Sequence, residues 1–192
     1  LSHLGSCLTA VGIIEEIFKV KKPDEKFVLS AGHAALALYA VLEKYGLGNA
    51  ERMFKHHGVH PDRCDECHID CSTGSLGHGL PIAVGMALAN RERNVYCLIS
   101  DGECAEGSIW EALRIKSELK VDNLKIFVNC NSYSAYGKIN ADILEQRLKA
   151  FCPDIQFIKT DVDKLPESFR GLKAHYKTID TKEKYEEITS SL

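Results

Sequence analysis

The stretch from residue 94 to 129 limits the fold more than any other. "NVYCLIS" (94–100) reads as a strand, "GSIWEALRIKSELK" (107–120) as a helix, and "NLKIFVN" (123–129) as a second strand. A helix between two strands makes too long a connection for a hairpin, so the strands are expected to run parallel with a right-handed crossover. The implied class is α/β, an open, mostly parallel sheet flanked by helices. Ser108 and Glu111 have the S-x-x-E spacing of a capping box, which is expected to start the helix.

The remaining elements are read from periodicity. "LTAVGIIEEIFKV" (8–20) is helical, "KFVLS" (26–30) is a short strand, and "HAALALYAVLEKYG" (33–46) is a helix stopped by Gly46. Apolar residues cover nearly every side of that last helix. It is therefore expected to pack inside, against the sheet or another subunit, and self-association is the corresponding expectation. Residues 47–71 read as a polar, irregular loop. "LPIAVGMALANRE" (80–92) is a helix with Pro81 in its first turn, where the missing N–H costs nothing. After about residue 140 the pattern gives a helix at "ADILEQRLKAFC", a strand at "IQFIKTDV", another near "AHYKTID", and a charged tail.

With 192 residues, 45% hydrophobic and 27% charged, one domain spanning 1–192 is the expectation, long enough to bury about 70% of its unfolded surface. A net charge of -3 offers no polybasic face for nucleic acid and no cluster for a membrane surface. The longest apolar runs are about half of the ~20 residues that span a bilayer. The first residues lack the basic region of a secretory signal, so a cytoplasmic location is expected. In a reducing compartment Cys7, Cys97, Cys130 and Cys152, within or beside apolar segments, are expected to be free core thiols.

Parallel strands put Asp101, just past the first strand, and Asn131, just past the second, on the same carboxyl edge of the sheet, where open α/β sheets bind ligands. A carboxylate and an amide oxygen are too few for a protein-only Mg²⁺ cage. They suit Mg²⁺ or Ca²⁺ whose other ligands are phosphate oxygens, a backbone carbonyl and water. Gly102 would let the backbone approach a phosphate beside a helix N-terminus.

An Asp-Gly after one strand and an Asn thirty residues later resembles the signature of thiamine-diphosphate enzymes. Within these, residues 2 to about 140 resemble transketolase. "SHLGSCLTAV" resembles the "SGHxG" opening, with Ser2 in place of the Gly, and "FVLSAGHAALALYAVLEKYG" resembles the "LSxGHxxxxLY" segment. "HPD" resembles "HPE", and "STGSLGHGLPIAVGMALA" resembles "TTGPLGQGxxxAVGMA", with His78 in place of the Gln. "DGECAEGSIWEA" and "NCNSYSAYG" complete the order.

Carried over by position, the resemblance implies that Asp101 and Asn131 bind the metal with the carbonyl of Tyr133. It implies diphosphate contacts from Gly102 and His33, a backbone carbonyl from Gly74 to the aminopyrimidine, packing of Leu76 against the cofactor, and Glu106 nearby. His3 and His60 would face the sugar substrate and are the catalytic candidates.

In this family the cofactor lies between two domains. The second, pyrimidine-binding domain carries the Glu that activates the cofactor, and it is not in this sequence; the C-terminal end of the first domain reads as shortened. Missing three or four hydrogen bonds of about 1 kcal/mol each would lower cofactor affinity by roughly two to three decades. The resemblance thus implies a transketolase-like subunit, part of a split ketol-transfer enzyme that acts on sugar phosphates with a pyrimidine-binding partner polypeptide in a homo- or hetero-oligomer. The chain would be inactive alone. The alternative is a pseudoenzyme that keeps the fold as a partner-binding module.

"CDECHIDC" stands apart. Cys64, Cys67 and Cys71, with His68 or His60, match a cysteine-rich zinc knuckle, and C-x-x-C-H matches haem attachment, for which no export route is visible; an ordinary loop is the third reading.

Overall fold

A computed structural model describes residues 3–134 and 137–160, together with Lys182 and Glu186. The expected strand near 174–180 and the charged tail lie outside the described residues. In chain order the elements are α1 (Leu4–Val20), β1 (Lys26–Leu29), a 3-10 turn (Gly32–Ala34) running into α2 (Ala35–Lys44), α3 (Ala50–His57), α4 (Gly79–Ala89) and β2 (Val95–Ser100). A second 3-10 turn (Gly102–Ala105) precedes α5 (Gly107–Glu118) and β3 (Leu124–Cys130). The short pair β4 (Tyr133–Ser134) and β5 (Gly137–Lys138), then α6 (Ala141–Phe151) and β6 (Gln156–Lys159), come last.

The main sheet has the order β1-β2-β3-β6 and is parallel throughout, as the strand, helix, strand pattern requires. Side chains alternate between its two faces. Along β2, Val95, Cys97 and Ile99 enter one core with α4, α5 and α6, while Tyr96 and Leu98 enter the other with α1 and α2. Burial on both sides makes the α/β class unambiguous. Each fully covered Leu or Ile, such as Ile14, Leu42 and Leu113, stabilises the fold by about 1.5–3 kcal/mol.

Helix α2 buries Ala35, Ala37, Leu38, Tyr39, Val41 and Leu42. Its apolar girth is covered by α1, α3 and the sheet within this chain, so it supplies no reason for self-association. Residues 47–71 are not all loop as expected, because α3 forms at Ala50–His57. Asn49 caps it by accepting from the Arg52 N–H, Glu51 sits in the first turn, and Lys55, His56 and His57 complement the C-terminal end. The Ser108/Glu111 capping box does not form. Glu106 occupies the N-cap position, and the Ser108 hydroxyl donates to the Gly77 carbonyl instead. All eight cysteines are free, and Cys7, Cys97, Cys130 and Cys152 are buried as expected. Among the described residues no helix is long and apolar enough to cross a membrane.

Candidate active site

The carboxyl ends of β1, β2 and β3 open into one cavity of about 200 Å³. Its lining includes His3, His33, His60, Gly74, Leu76, Asp101, Gly102, Asn131 and Tyr133, which is every residue expected at the site except Glu106. Glu106 lies beside Gly77 at the start of α5, outside the lining. Pockets that enclose a cofactor-sized ligand run to about 300–1,000 Å³. This cavity is smaller than that range.

Asp101 directly follows β2 and is 2% exposed. Its Oδ1 accepts the Gly102 N–H at 2.9 Å, and its Oδ2 accepts the Ser132 N–H at 2.7 Å. Ser132 adopts the left-handed region (φ 66°), which curls the chain after β3 over the carboxylate. Burial still dominates these bonds and pushes the Asp101 carboxyl up to about 6. A cation in the cavity would relieve that penalty. Asn131 stands next in the same curl, its Oδ1 accepting the Tyr133 N–H at 3.0 Å and keeping a further lone pair. One buried anion, one amide oxygen and an adjacent backbone stretch fit an Mg²⁺ or Ca²⁺ that takes its remaining ligands from a diphosphate and water.

Gly102 lines the cavity as expected, but α5 begins only at Gly107. The intervening Gly102–Ala105 segment is a single 3-10 turn, and the Gly102 N–H is taken by Asp101. What Gly102 offers the cavity is thus the space left by a missing side chain, rather than a helix dipole.

Also in the lining, His60 packs over Gly74, where a Cβ would lie 3.0 Å from the imidazole and where φ is +155°. His3 and His33 meet edge to face, with ring centroids 5.0 Å apart. The site's foundation includes two residues that lie inside the quoted motifs but are given no role there, Asn129 and Glu103. Asn129 donates to the Thr9 hydroxyl and accepts from the Thr160 hydroxyl, both at 2.9 Å, which ties α1 to the sheet beside the cavity. Glu103, wholly buried, joins Ser30 after β1, Ser100 at the end of β2 and the Gly77 N–H. For Asn129 the sequence signal is a polar residue at the carboxyl end of an apolar strand; Glu103, in the 3-10 turn three residues past β2, has no such signal.

A comparison with protein families matches residues 19–164 to the family described as transketolase, thiamine diphosphate binding domain. The chain belongs to the transketolase family. It is 36% identical to human transketolase over 174 residues, covering 78% of this chain and 28% of the human protein. It is 35% identical over 171 residues to a putative uncharacterized transketolase family protein of Sinorhizobium fredii, covering 79% of this chain and 60% of that one. The chain thus spans less than two thirds of the curated relatives it matches here. A Pichia stipitis transketolase mutant in complex with xylulose-5-phosphate superposes with a TM-score of 0.62 at 26% identity, covering 74% of this chain and 26% of that one. Campylobacter jejuni transketolase shares the fold, with a TM-score of 0.59 at 22% identity, over 75% of this chain and 30% of that one.

In this member of the transketolase family the turn before α4 requires a glycine. Gly77 has φ +76°, and a Cβ there would run into the Ser108 hydroxyl and stand 2.8 Å from the Glu106 Cβ. Gly77→Ala is expected to lower stability by about 2–3 kcal/mol, combining the left-handed penalty with the displaced Ser108 bond. Chemical denaturation measures the loss; an unchanged midpoint would mean that the turn relaxes freely.

The cysteine-rich segment is arranged differently from what its spacing suggests. Cys71 is buried in the core on the α4 side, while His57, Cys64 and Cys67 converge, with their ligand atoms within 4.8 Å of one another. Neither His60, at the cavity, nor His68 belongs to that group. Burial, with Cys64 alongside, pushes the Cys67 thiol up to about 11, so without a cation it is a poor nucleophile at neutral pH.

Proposed function

We propose that this chain is the diphosphate-holding part of a ketol-transfer enzyme that uses thiamine diphosphate and Mg²⁺ on sugar phosphates and works with a pyrimidine-binding polypeptide. The observation that carries this reading is the convergence of Asp101, Asn131, His33, His60 and Gly74 in one cavity at the carboxyl edge of the sheet. Asp101 and Asn131, with the Tyr133 carbonyl, would hold the cation, and His33 would face the diphosphate. Leu76 would pack against the ring system, with Gly74 presenting its carbonyl to the aminopyrimidine. His3 and His60, both in the lining of the cavity, would orient the hydroxyls of the sugar. When bound, thiamine diphosphate supplies the nucleophilic carbon that breaks and forms the carbon–carbon bond of a ketose. The partner polypeptide would close the open side of the cavity and exclude water from it.

The test is a titration of thiamine diphosphate with Mg²⁺ into the purified chain, with and without a pyrimidine-binding polypeptide from the same source. The expected result is weak binding and no ketol transfer by the chain alone. With the partner, affinity should rise by roughly two to three decades and transfer from a ketose phosphate to an aldose phosphate should appear. Tight binding without transfer in the mixture would favour a pseudoenzyme. No gain in affinity from any such partner would overturn the reading.

A further inference from the structure

A second group of metal-type ligands lies away from the cavity edge, where α3 meets the turn at residues 64–69. His57 is the last residue of α3, and its Nε2 lies 3.4 Å from the Cys67 Sγ. In a tetrahedral site with Zn–N of about 2.0–2.1 Å and Zn–S of about 2.3 Å, the nitrogen and sulfur stand about 3.5 Å apart. The imidazole and the thiol are therefore already separated as two ligands of one ion would be.

The turn that presents the two sulfurs is also built for the task. Cys64 and Ile69 exchange both backbone hydrogen bonds at 2.9 Å, closing a narrow loop. Inside it the Cys67 N–H points at the Cys64 Sγ at 3.2 Å, and His68 takes φ 55° to bring the chain back. The C-x-x-C spacing alone puts two sulfurs on one side of such a turn, and α3 brings the imidazole to them. His57 is held in turn by an edge-to-face contact with His56 at 4.5 Å between centroids.

We propose that His57, Cys64 and Cys67 bind a thiophilic divalent cation, zinc by ligand type, with its fourth position open to the groove lined by Arg52, His56 and Glu66. Two thiolates and a neutral imidazole select zinc over Mg²⁺ or Ca²⁺, which take oxygen ligands. The fourth ligand is water. The ion links the end of α3 to the turn and so closes the short segment 58–63 into a loop. His60 is inside that loop and packs on Gly74 at the cavity mouth, so the ion would fix the backbone from which this histidine reaches the cavity. The site itself does not depend on the proposed enzymatic function; only its link to His60 does.

The test uses the full chain, reduced, stripped with a chelator and titrated with Zn²⁺ or Co²⁺. One equivalent should bind, releasing protons as the thiols ionise. The Co²⁺ form should show sulfur-to-cobalt charge transfer and the intense visible bands of a four-coordinate ion. Cys64→Ser and Cys67→Ser should each weaken binding by about 100-fold or more and diminish the charge-transfer band. His57→Ala should weaken it by about tenfold or more while keeping that band. Cys71→Ser should change neither, and Zn²⁺ should raise the melting temperature of the parent but not of the Cys64→Ser, Cys67→Ser double variant. Circular dichroism confirms that each variant is folded. Equal metal uptake by the parent and the double variant, or loss of the charge-transfer band in Cys71→Ser, would overturn the proposal.

Discussion

Glu103→Ala is expected to lower stability by about 4 kcal/mol, although Glu103 is not one of the residues lining the cavity. Its Oε1 accepts from the Ser30 hydroxyl at 2.6 Å and from the Gly77 N–H at 3.0 Å; its Oε2 accepts from the Ser100 N–H at 2.9 Å. Removing the carboxylate leaves these donors in a dry interior, and each unpaired buried group costs about 1–3 kcal/mol. A loss of this size is a large part of the ~5–15 kcal/mol that keeps a domain folded, and it lowers the melting temperature by roughly 10 °C. Glu103→Gln keeps the shape but turns an amide NH₂ toward a backbone N–H, so it should lose about 1–3 kcal/mol and melt between the other two. Thermal denaturation of the three proteins gives the order directly. If parent and alanine variant melt together, the ends of β1 and β2 do not depend on this carboxylate.

The sequence marked the strands and the carboxyl edge with its candidate residues because both depend on strong local patterns. An apolar run of strand length at "NVYCLIS" has few alternatives, and a parallel pair puts Asp101 and Asn131 on one edge whatever the details of packing. Helix α3 went unread because it buries only Met53 and is set by Asn49 and its charged termini rather than by an apolar stripe. Ser108 has the spacing of a cap, yet the neighbouring Gly77 carbonyl takes its hydroxyl, a contact 31 residues distant in sequence. Spacing also grouped Cys71 with Cys64 and Cys67. The bridge at Cys64 and Ile69 reverses the chain, Ile69 enters the core on the α1 side, and Cys71 enters the opposite one. Glu103 was invisible as an anchor for the same reason as His57 was as a ligand. Their partners are brought together only by the fold.

Asp101→Ala is expected to abolish cation-dependent cofactor binding, on the proposed reading of the site. Asp101 would be the one anionic protein ligand, with an amide and a carbonyl beside it, and a unit charge about 4 Å from a cation at an effective dielectric of about 20 contributes about 4 kcal/mol per cation charge. Affinity should therefore fall by about three decades or more. Asn131→Ala removes a neutral ligand and should cost less. The same carboxylate gives a pH signature without any cation. Its folded pKa of about 6 lies above the ordinary 3.8, so the native state holds the proton more tightly than the unfolded chain. Its contribution to stability is fully present below the unfolded value and is lost as pH rises from about 4 through about 6, by about 3 kcal/mol. The stability gap between parent and Asp101→Ala should narrow over that window in cation-free protein. At pH 7, Mg²⁺ with thiamine diphosphate should widen it again, because the cation binds the ionised form that burial penalises. Calorimetric titration of the chain with its pyrimidine-binding partner, and melts of both proteins from pH 4 to 8, measure the two effects. A gap that stays constant with pH would mean that burial does not raise the Asp101 carboxyl, and an Asp101→Ala variant that binds the cofactor like the parent would remove Asp101 from the cation site and leave the carboxyl edge without its anchoring charge.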